Sequence, residues 1–377
     1  MKVIKQSVFD QWQIEDKSVQ LIATSPPYYS LRRYSIPDVI IGGDKNCKHE
    51  WEKHEKKPAG GSGKKSIIGG NQDDFSNMRD GSYFSNFCIH CNAWQGQYGL
   101  EPDYKLYVEH TRLWVKEAWR VLKDDGVFFL NIADSYSTQS GGMAQGEYGK
   151  LGAQLGDSVG IIKQPKINNY QSKCQLLIPH RVAMALIDDG WILRNTIIWH
   201  KPNGMPESCQ DRLSKKYEYI FMFVKNQRYY FNLDAVREKY KEYPSEVQHP
   251  CSARDRIMGG NLKGKNPGDV WSINTQPSPE KHFAMYPEKL VERMILCSTK
   301  AGDVVLDPFA GSATTLRVAD RLNRIGQGID LGYQDIQTRR LANIQKELCY
   351  ETHVDLPEII KQLKGIQLGY VSTRDGD

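Results

Sequence analysis

The sequence predicts an α/β fold. Apolar runs of strand length alternate with segments of helical period. The runs are closed by Pro-Pro, Asp-Ser or Gly punctuation. Of 377 residues, 40% are hydrophobic, enough for a sizeable core.

Val19–Thr24 reads as a strand stopped by Ser25-Pro26-Pro27-Tyr28, because two prolines continue neither a strand nor a helix. From Pro102 to Leu122 the pattern is helical, with Leu106, Val108, Leu113, Trp114, Ala118, Val121 and Leu122 near a 3.6 period and Asp124-Asp125-Gly126 as the stop. Val127–Ala133 is a buried strand ending at Asp134-Ser135. Pro179 opens a helix over Arg181–Asp188, closed by Gly190. Trp191–His200 and Glu218–Lys225 with Tyr229–Phe231 are two strands fit to pair antiparallel across a Pro-, Gly- and Ser-rich loop. Asp303–Leu306, Thr314–Leu322, Arg324–Asp330 and Tyr333–Leu348 follow as strand, helix, strand and helix.

Three polar stretches interrupt this rhythm, at about 42–99, 137–172 and 235–278, and loops this long are usually functional or small subdomains. With 10% aromatic residues and a net charge of 50 − 45 = +5, the chain is neither disordered nor committed to an acidic partner. No apolar run approaches membrane length, and the start MKVIKQSVFDQW lacks the apolar core of a secretory signal. A cytoplasmic chain without a membrane partner is expected. Its eight cysteines are then reduced thiols or metal ligands.

Asp307-Pro308-Phe309-Ala310-Gly311-Ser312-Ala313-Thr314 lies between a strand and a helix. Glycine there lets backbone approach a ligand, and Asp330, at the end of the next strand, suits ribose hydroxyls. This layout suits an adenosine-bearing ligand, though the turn would also serve simply as a βα connection capped by Ser312 or Thr314. It is not the dinucleotide fingerprint, because G-x-G-x-x-G is missing. In Ser25-Pro26-Pro27-Tyr28, a hydroxyl and a fixed carbonyl can accept both hydrogens of an exocyclic amine, with Tyr28 free to stack on a planar base. The alternative is a rigid loop with Tyr28 packed on the core.

Together, Thr24–Tyr28 early and Asp307–Ser312 late resemble the beta class of S-adenosylmethionine-dependent DNA amino-methyltransferases. Trp94–Pro102, Asp134-Ser-Tyr136, Gly190–Arg194, Trp199–Asn203, and His282-Phe with Pro287–Leu290 match as well. The resemblance implies a circularly permuted Rossmann-like methyltransferase fold, a mostly parallel seven-stranded sheet with one antiparallel strand and polar insertions. It assigns Asp307, Pro308, Phe309, Gly311, Ser312, Thr314, Asp330 and His282 to the cofactor, S-adenosylmethionine, and Ser25, Pro26, Pro27 and Tyr28 to the target base. Two departures stand out: Ala313 where the family often has glycine, and Ser7 where it often has an acid near the adenine. Serine at the loop's first position resembles the cytosine-N4 subclass, with adenine N6 as the rival. The target amine is inaccessible in a stacked duplex, so base flipping is implied. A relative that binds DNA without catalysis is disfavoured, since Ser25–Tyr28, Asp307 and Asp330 are all present.

The implied division is 1–41 with the acceptor loop, 42–99 as an insertion, 100–234 as the continued catalytic domain with a mobile loop at 137–172, 235–278 for target recognition, and 279–377 for the cofactor. Cys47, His49, Cys88 and Cys91 bracket the insertion and form a candidate structural zinc set, as opposed to four unrelated surface residues. His54 and His90 are alternative ligands. Arg254, Arg256, Lys263 and Lys265 are candidates for double-stranded DNA, as opposed to a solvated loop, and Lys56, Lys57, Lys64 and Lys65 could track its backbone. A homodimer and a paired restriction enzyme are compatible with the sequence.

Overall fold

The computed structural model describes residues 1–34, 36–55, 82–137, 170–239, 263–276 and 287–351. The chain centres on an eight-stranded sheet in the order β1-β12-β11-β2-β7-β9-β8-β10. These strands are β1 (Lys2–Lys5), β2 (Val19–Thr24), β7 (Leu122–Ile132), β8 (Ile192–His200), β9 (Tyr217–Val224), β10 (Val270–Ser272), β11 (Val304–Asp307) and β12 (Ile325–Asp330). Only β9 runs against the rest, pairing antiparallel with both β7 and β8. The α/β methyltransferase architecture, its antiparallel strand and the β8–β9 pair match the sequence expectation. The sheet has one strand more than the seven expected.

The reason for its stability is a period of two. In β2, Ile22 joins one core while Leu21 and Ala23 join the other. Phe128 and Leu130 likewise face away from Val127 and Phe129 in β7. Helices α1 (Tyr104–Val121) and α2 (Ile178–Asp188) supply Trp114, Ala118, Val182 and Leu186 to the first core. Helices α3 (Glu288–Ser298) and α4 (Thr314–Arg321) supply Leu290, Met294, Val318 and Ala319 to the second. Each fully buried phenylalanine of the central strands contributes about 1.5–3 kcal/mol of transfer free energy. The last helix, α5 (Gln334–Glu351), follows β12.

A second, four-stranded sheet, β3-β6-β5-β4, is built from β3 (Val39–Ile41), β4 (Trp51–Glu55), β5 (Ser82–Cys88) and β6 (Trp94–Gly96). Most of it comes from the polar 42–99 insertion.

Three details differ from the sequence reading. Tyr229–Phe231 does not extend the strand; Tyr230 makes a single backbone bond, to the Asp125 carbonyl. Asp124-Asp125-Gly126 does not separate α1 from β7, because β7 already begins at Leu122. The buried stripe of α1 keeps the expected Trp114, Ala118 and Val121 but also takes in Tyr107, His110 and Thr111, and it leaves Leu113 exposed. His110 is buried because it pairs with Glu101, as described below.

Candidate active site

Strands β2 and β11 are parallel neighbours, with Ile22 opposite Leu306, so their C-terminal ends open at one edge. The Thr24 hydroxyl donates to Asp307 Oδ1 at 2.6 Å, tying the start of the Ser25–Tyr28 loop to the start of the Asp307–Thr314 turn. Asp307 is buried and also accepts from the Phe309 N–H at 3.1 Å and the Thr315 hydroxyl at 2.6 Å. Its carboxylate therefore shapes the turn from inside. Pro308, Ser312 and Thr314 are buried too, with the Ser312 and Thr314 hydroxyls 3.3 Å apart. Phe309 is half-buried, stacked on Tyr98 and edge-on to Trp114.

Asp330 ends β12 beside this turn. Its two oxygens accept the Gly311 N–H at 2.6 Å and the Gly332 N–H at 2.9 Å. Even with the Leu331 N–H also acting on it, the carboxylate keeps a lone pair for a hydroxyl donor. Burial pushes its carboxyl up to about 6, with the Asp307 charge adding to the shift and the backbone donors opposing it. Gln337 of α5 donates to the Gly311 carbonyl at 2.8 Å, while its own Oε1 is buried without a partner. Gly326 lets α4, and Gly328 the turn before it, lie directly on β12: a Cβ at 326 would sit 2.9 Å from Leu316 Cα, and one at 328 would sit 2.8 Å from Ala310 Cβ. Ala313 has φ +63°, the left-handed region, which explains physically why glycine suits that position. Ser7 follows β1, whose Lys5 is in register with Asp330, so it stands at the same sheet edge. Its hydroxyl accepts the Phe9 N–H at 3.3 Å.

On the acceptor side, Ser25 Oγ lies 2.9 Å from the Tyr28 hydroxyl, which donates to Glu218 Oε2 at 2.7 Å. A phenol has one hydrogen, so Ser25 must donate to Tyr28. The serine then has two lone pairs, one facing the Asn131 amide at 3.3 Å and the other open to a donor. Burial, reinforced by the Glu218 charge, pushes the Tyr28 hydroxyl well above its ordinary value and keeps it protonated. Lys201 pairs with the other oxygen of Glu218. Asn131 donates to Tyr28 at 2.8 Å and to Glu218 at 3.0 Å, and its Oδ1 is buried without a partner. The Pro27 carbonyl accepts from Tyr107 at 2.9 Å, whereas the Pro26 carbonyl accepts no hydrogen bond among the described residues.

The loop rests on the segment after β6. Gly99, at φ +96°, accepts the Ser30 N–H at 2.6 Å, and a Cβ there would stand 3.1 Å from both Pro27 Cβ and the Tyr28 carbonyl. The Gly99 N–H is held at 2.8 Å by Glu101, whose other oxygen meets His110 Nδ1 at 2.9 Å. Burial raises the Glu101 carboxyl above its ordinary value, against the hydrogen bond from His110.

Of the remaining sequence candidates, Cys47, His49, Cys88 and Cys91 converge, with one donor atom from each lying within 4.8 Å of the others. Lys263 and Lys265 are not brought to the acceptor loop. They precede β10, which runs parallel to β8, and so stand at the opposite end of the sheet. Lys263 pairs with Asp234 at 2.7 Å, and Lys265 with Glu238 at 3.8 Å. Arg254, Arg256, His282, Lys56, Lys57, Lys64 and Lys65, and most of the 137–172 stretch, lie outside the described residues.

A family model described as DNA methylase, covering N6 and N4 methyltransferases, matches residues 19–339. The chain belongs to this DNA methylase family. The methylase is 36% identical over 247 residues to the Type II methyltransferase M.Cfr9I of Citrobacter freundii, covering 65% of this chain and 74% of that one. It is also 36% identical over 236 residues to M.SmaI of Serratia marcescens, covering 63% and 73%. Among solved structures, the PvuII DNA methyltransferase (cytosine-N4-specific) superposes with a TM-score of 0.51 at 16% identity, over 89% of this chain and 83% of that one, a likeness of fold. No helix among the described residues is long and apolar enough to cross a membrane.

Thr24, which opens the Thr24–Tyr28 motif, and Glu101, Asn131, Lys201 and Glu218 hold the two loops by hydrogen bonds and an ion pair, although none of the five was given a role from the sequence. Glu101 and Lys201 lie within the matching segments Trp94–Pro102 and Trp199–Asn203, Asn131 stands three residues before Asp134, and Glu218 carried no motif signal.

Proposed function

We propose that this methylase moves a methyl group from S-adenosylmethionine to the exocyclic amine of a base flipped out of duplex DNA, with cytosine N4 as the target. One observation carries this reading. The Ser25–Tyr28 loop and the Asp307–Thr314 turn leave adjacent parallel strands and are joined by the Thr24–Asp307 bond.

The residues present fit the cofactor. Asp330 keeps a lone pair for a ribose hydroxyl, Gly311 and Phe309 present a narrow turn, and the buried Gln337 Oε1 lacks a donor. When bound, the cofactor supplies an electrophilic methyl on a sulfonium. The protein's own work is positioning, because an exocyclic nitrogen has its lone pair delocalised into the ring. The Ser25 lone pair and the Pro26 carbonyl accept the two amine hydrogens and favour a tetrahedral nitrogen. Glu218, held by Lys201 and Asn131, fixes Tyr28 and through it the direction of the Ser25 hydroxyl. The buried, unpartnered Asn131 Oδ1 is a second acceptor in the wall of the site. An unmet buried acceptor costs about 1–3 kcal/mol, which a substrate donor would offset.

The choice of cytosine rests on Ser25. Host DNA expressing the methylase, digested to nucleosides and analysed by mass spectrometry, is expected to contain N4-methylcytosine. N6-methyladenine without N4-methylcytosine would assign the rival base, and neither product would overturn methyl transfer to DNA.

A further inference from the structure

Methyl transfer leaves the four-residue cluster in the 42–99 insertion without a role. Cys47 and His49 precede β4, Cys88 ends β5, and Cys91 lies in the turn to β6. Cys47 Sγ stands 3.8 Å from Cys88 Sγ, and Cys91 Sγ stands 3.5 Å from His49 Nδ1. These are not disulfide distances. A regular tetrahedron with zinc–sulfur bonds of about 2.3 Å and zinc–nitrogen bonds of about 2.0–2.1 Å has edges of about 3.8 Å between sulfurs and about 3.6 Å between sulfur and nitrogen. These two edges of the cluster match the two values, and all four donor atoms lie within 4.8 Å of one another.

The backbone around the cluster is shaped to hold the donors. Asn92, directly after Cys91, has φ +58°, and its N–H returns to the Cys88 carbonyl at 2.9 Å while the Cys88 N–H reaches Ala93 at 2.8 Å. Gly43, at φ +71°, passes so close that a Cβ there would lie 2.7 Å from Cys91 Sγ. Across the site, the Cys47 N–H bonds the Asp44 carbonyl at 3.1 Å, and the Asn46 N–H bonds the Asp44 carboxylate at 2.9 Å.

We infer that Cys47, His49, Cys88 and Cys91 bind one structural zinc ion. Three thiolates and an imidazole complete a tetrahedral sphere and leave no open position for water, so the ion is a staple and not a Lewis acid for substrate. It joins the segment before β4 to the β5–β6 turn, closing a long span of the four-stranded sheet. The stapled sheet then bears on the acceptor loop. Gln97, just beyond β6, donates to the Tyr34 and Ile36 carbonyls at 3.0 and 2.6 Å and accepts the Tyr34 N–H at 3.0 Å, next to the Gly99–Ser30 bond.

The test uses the full chain purified without immobilised-metal chromatography. Elemental analysis is expected to find about one equivalent of zinc per chain. Joint replacement Cys88→Ser and Cys91→Ser is expected to abolish it, while Cys174→Ser with Cys209→Ser, outside the cluster, leaves it intact. Exchange of wild-type protein with cobalt(II) is expected to produce the intense visible bands of a tetrahedral site and a thiolate charge-transfer band. This readout stands even if the double variant does not fold. Metal-free wild-type protein that gives only the weak bands of six-coordinate cobalt, zinc retained after loss of Cys88 and Cys91, or iron in place of zinc would overturn the inference. None of these readouts depends on methyl transfer.

Discussion

Asp330 is the residue at which the proposed cofactor site is tied most closely to the fold. Its folded-state value of about 6 lies above the ordinary 3.8, so the folded chain holds an extra proton between about pH 4 and 6. That group favours the fold on the acid side of the window and costs stability as pH rises through it. A ribose diol, which donates hydrogen bonds, prefers the charged carboxylate. Affinity for S-adenosylmethionine, followed by calorimetry, is therefore expected to fall as pH drops below about 6, and a flat profile to pH 5 would separate Asp330 from the ribose. Glu218→Gln replaces a carboxylate that fixes Tyr28. We expect turnover to fall about 100-fold, the scale set by misplacing a reacting group, with cofactor affinity unchanged. Steady-state kinetics that keep wild-type turnover would remove Glu218 from the positioning chain. Thr24→Val removes the donor that joins the two loops and leaves the buried Asp307 with one partner fewer. It is expected to lower stability to urea by about 1–3 kcal/mol.

At the scale of elements, the segment after β6 decides where the acceptor loop sits. Gly99→Ala puts a methyl against Pro27 and the Tyr28 carbonyl at a left-handed φ. The expected result is a loss of about 1 kcal/mol or more in stability, with turnover falling and cofactor affinity kept; an unchanged turnover would show that the loop tolerates displacement. The strands that carry the site were legible because apolar runs end at Pro-Pro, Asp-Pro or Asp-Leu-Gly, punctuation that marks a strand end. The short strands β1, β3 and β10 were not, because three or four residues make no readable period. The stripe of α1 was legible at Trp114, Ala118 and Val121, but His110 and Thr111 were missed because they read as polar, while Glu101, nine residues earlier, supplies the partner that lets His110 be buried. Asn131 and Glu218 looked like ordinary strand residues. Their role arises only from the β7–β9 pairing, which places β9 beside the strand that carries Asn131.

For the whole molecule, the order β12-β11-β2-β7 places the end of the chain's second strand between its last strands and its centre. Segments about 280 residues apart thereby meet at one sheet edge, and the Thr24–Asp307 bond spans 283 positions. The recognition surface is a separate matter. Lys263 and Lys265 stand at the far end of the sheet from the acceptor loop, beside Asp234 and Glu238, which Arg237 and Arg293 also engage, so replacing both with alanine is expected to leave DNA affinity in filter binding within about twofold. The most direct test of a shared site is a crystal structure of the methylase with a non-transferring amine analogue of S-adenosylmethionine. We expect its ribose on Asp330 and the amine that replaces the methyl-bearing sulfonium between Phe309 and Pro26, facing Ser25. An analogue seated with that amine away from the Ser25–Tyr28 loop, or in a cavity not bordered by Pro26, would contradict the account.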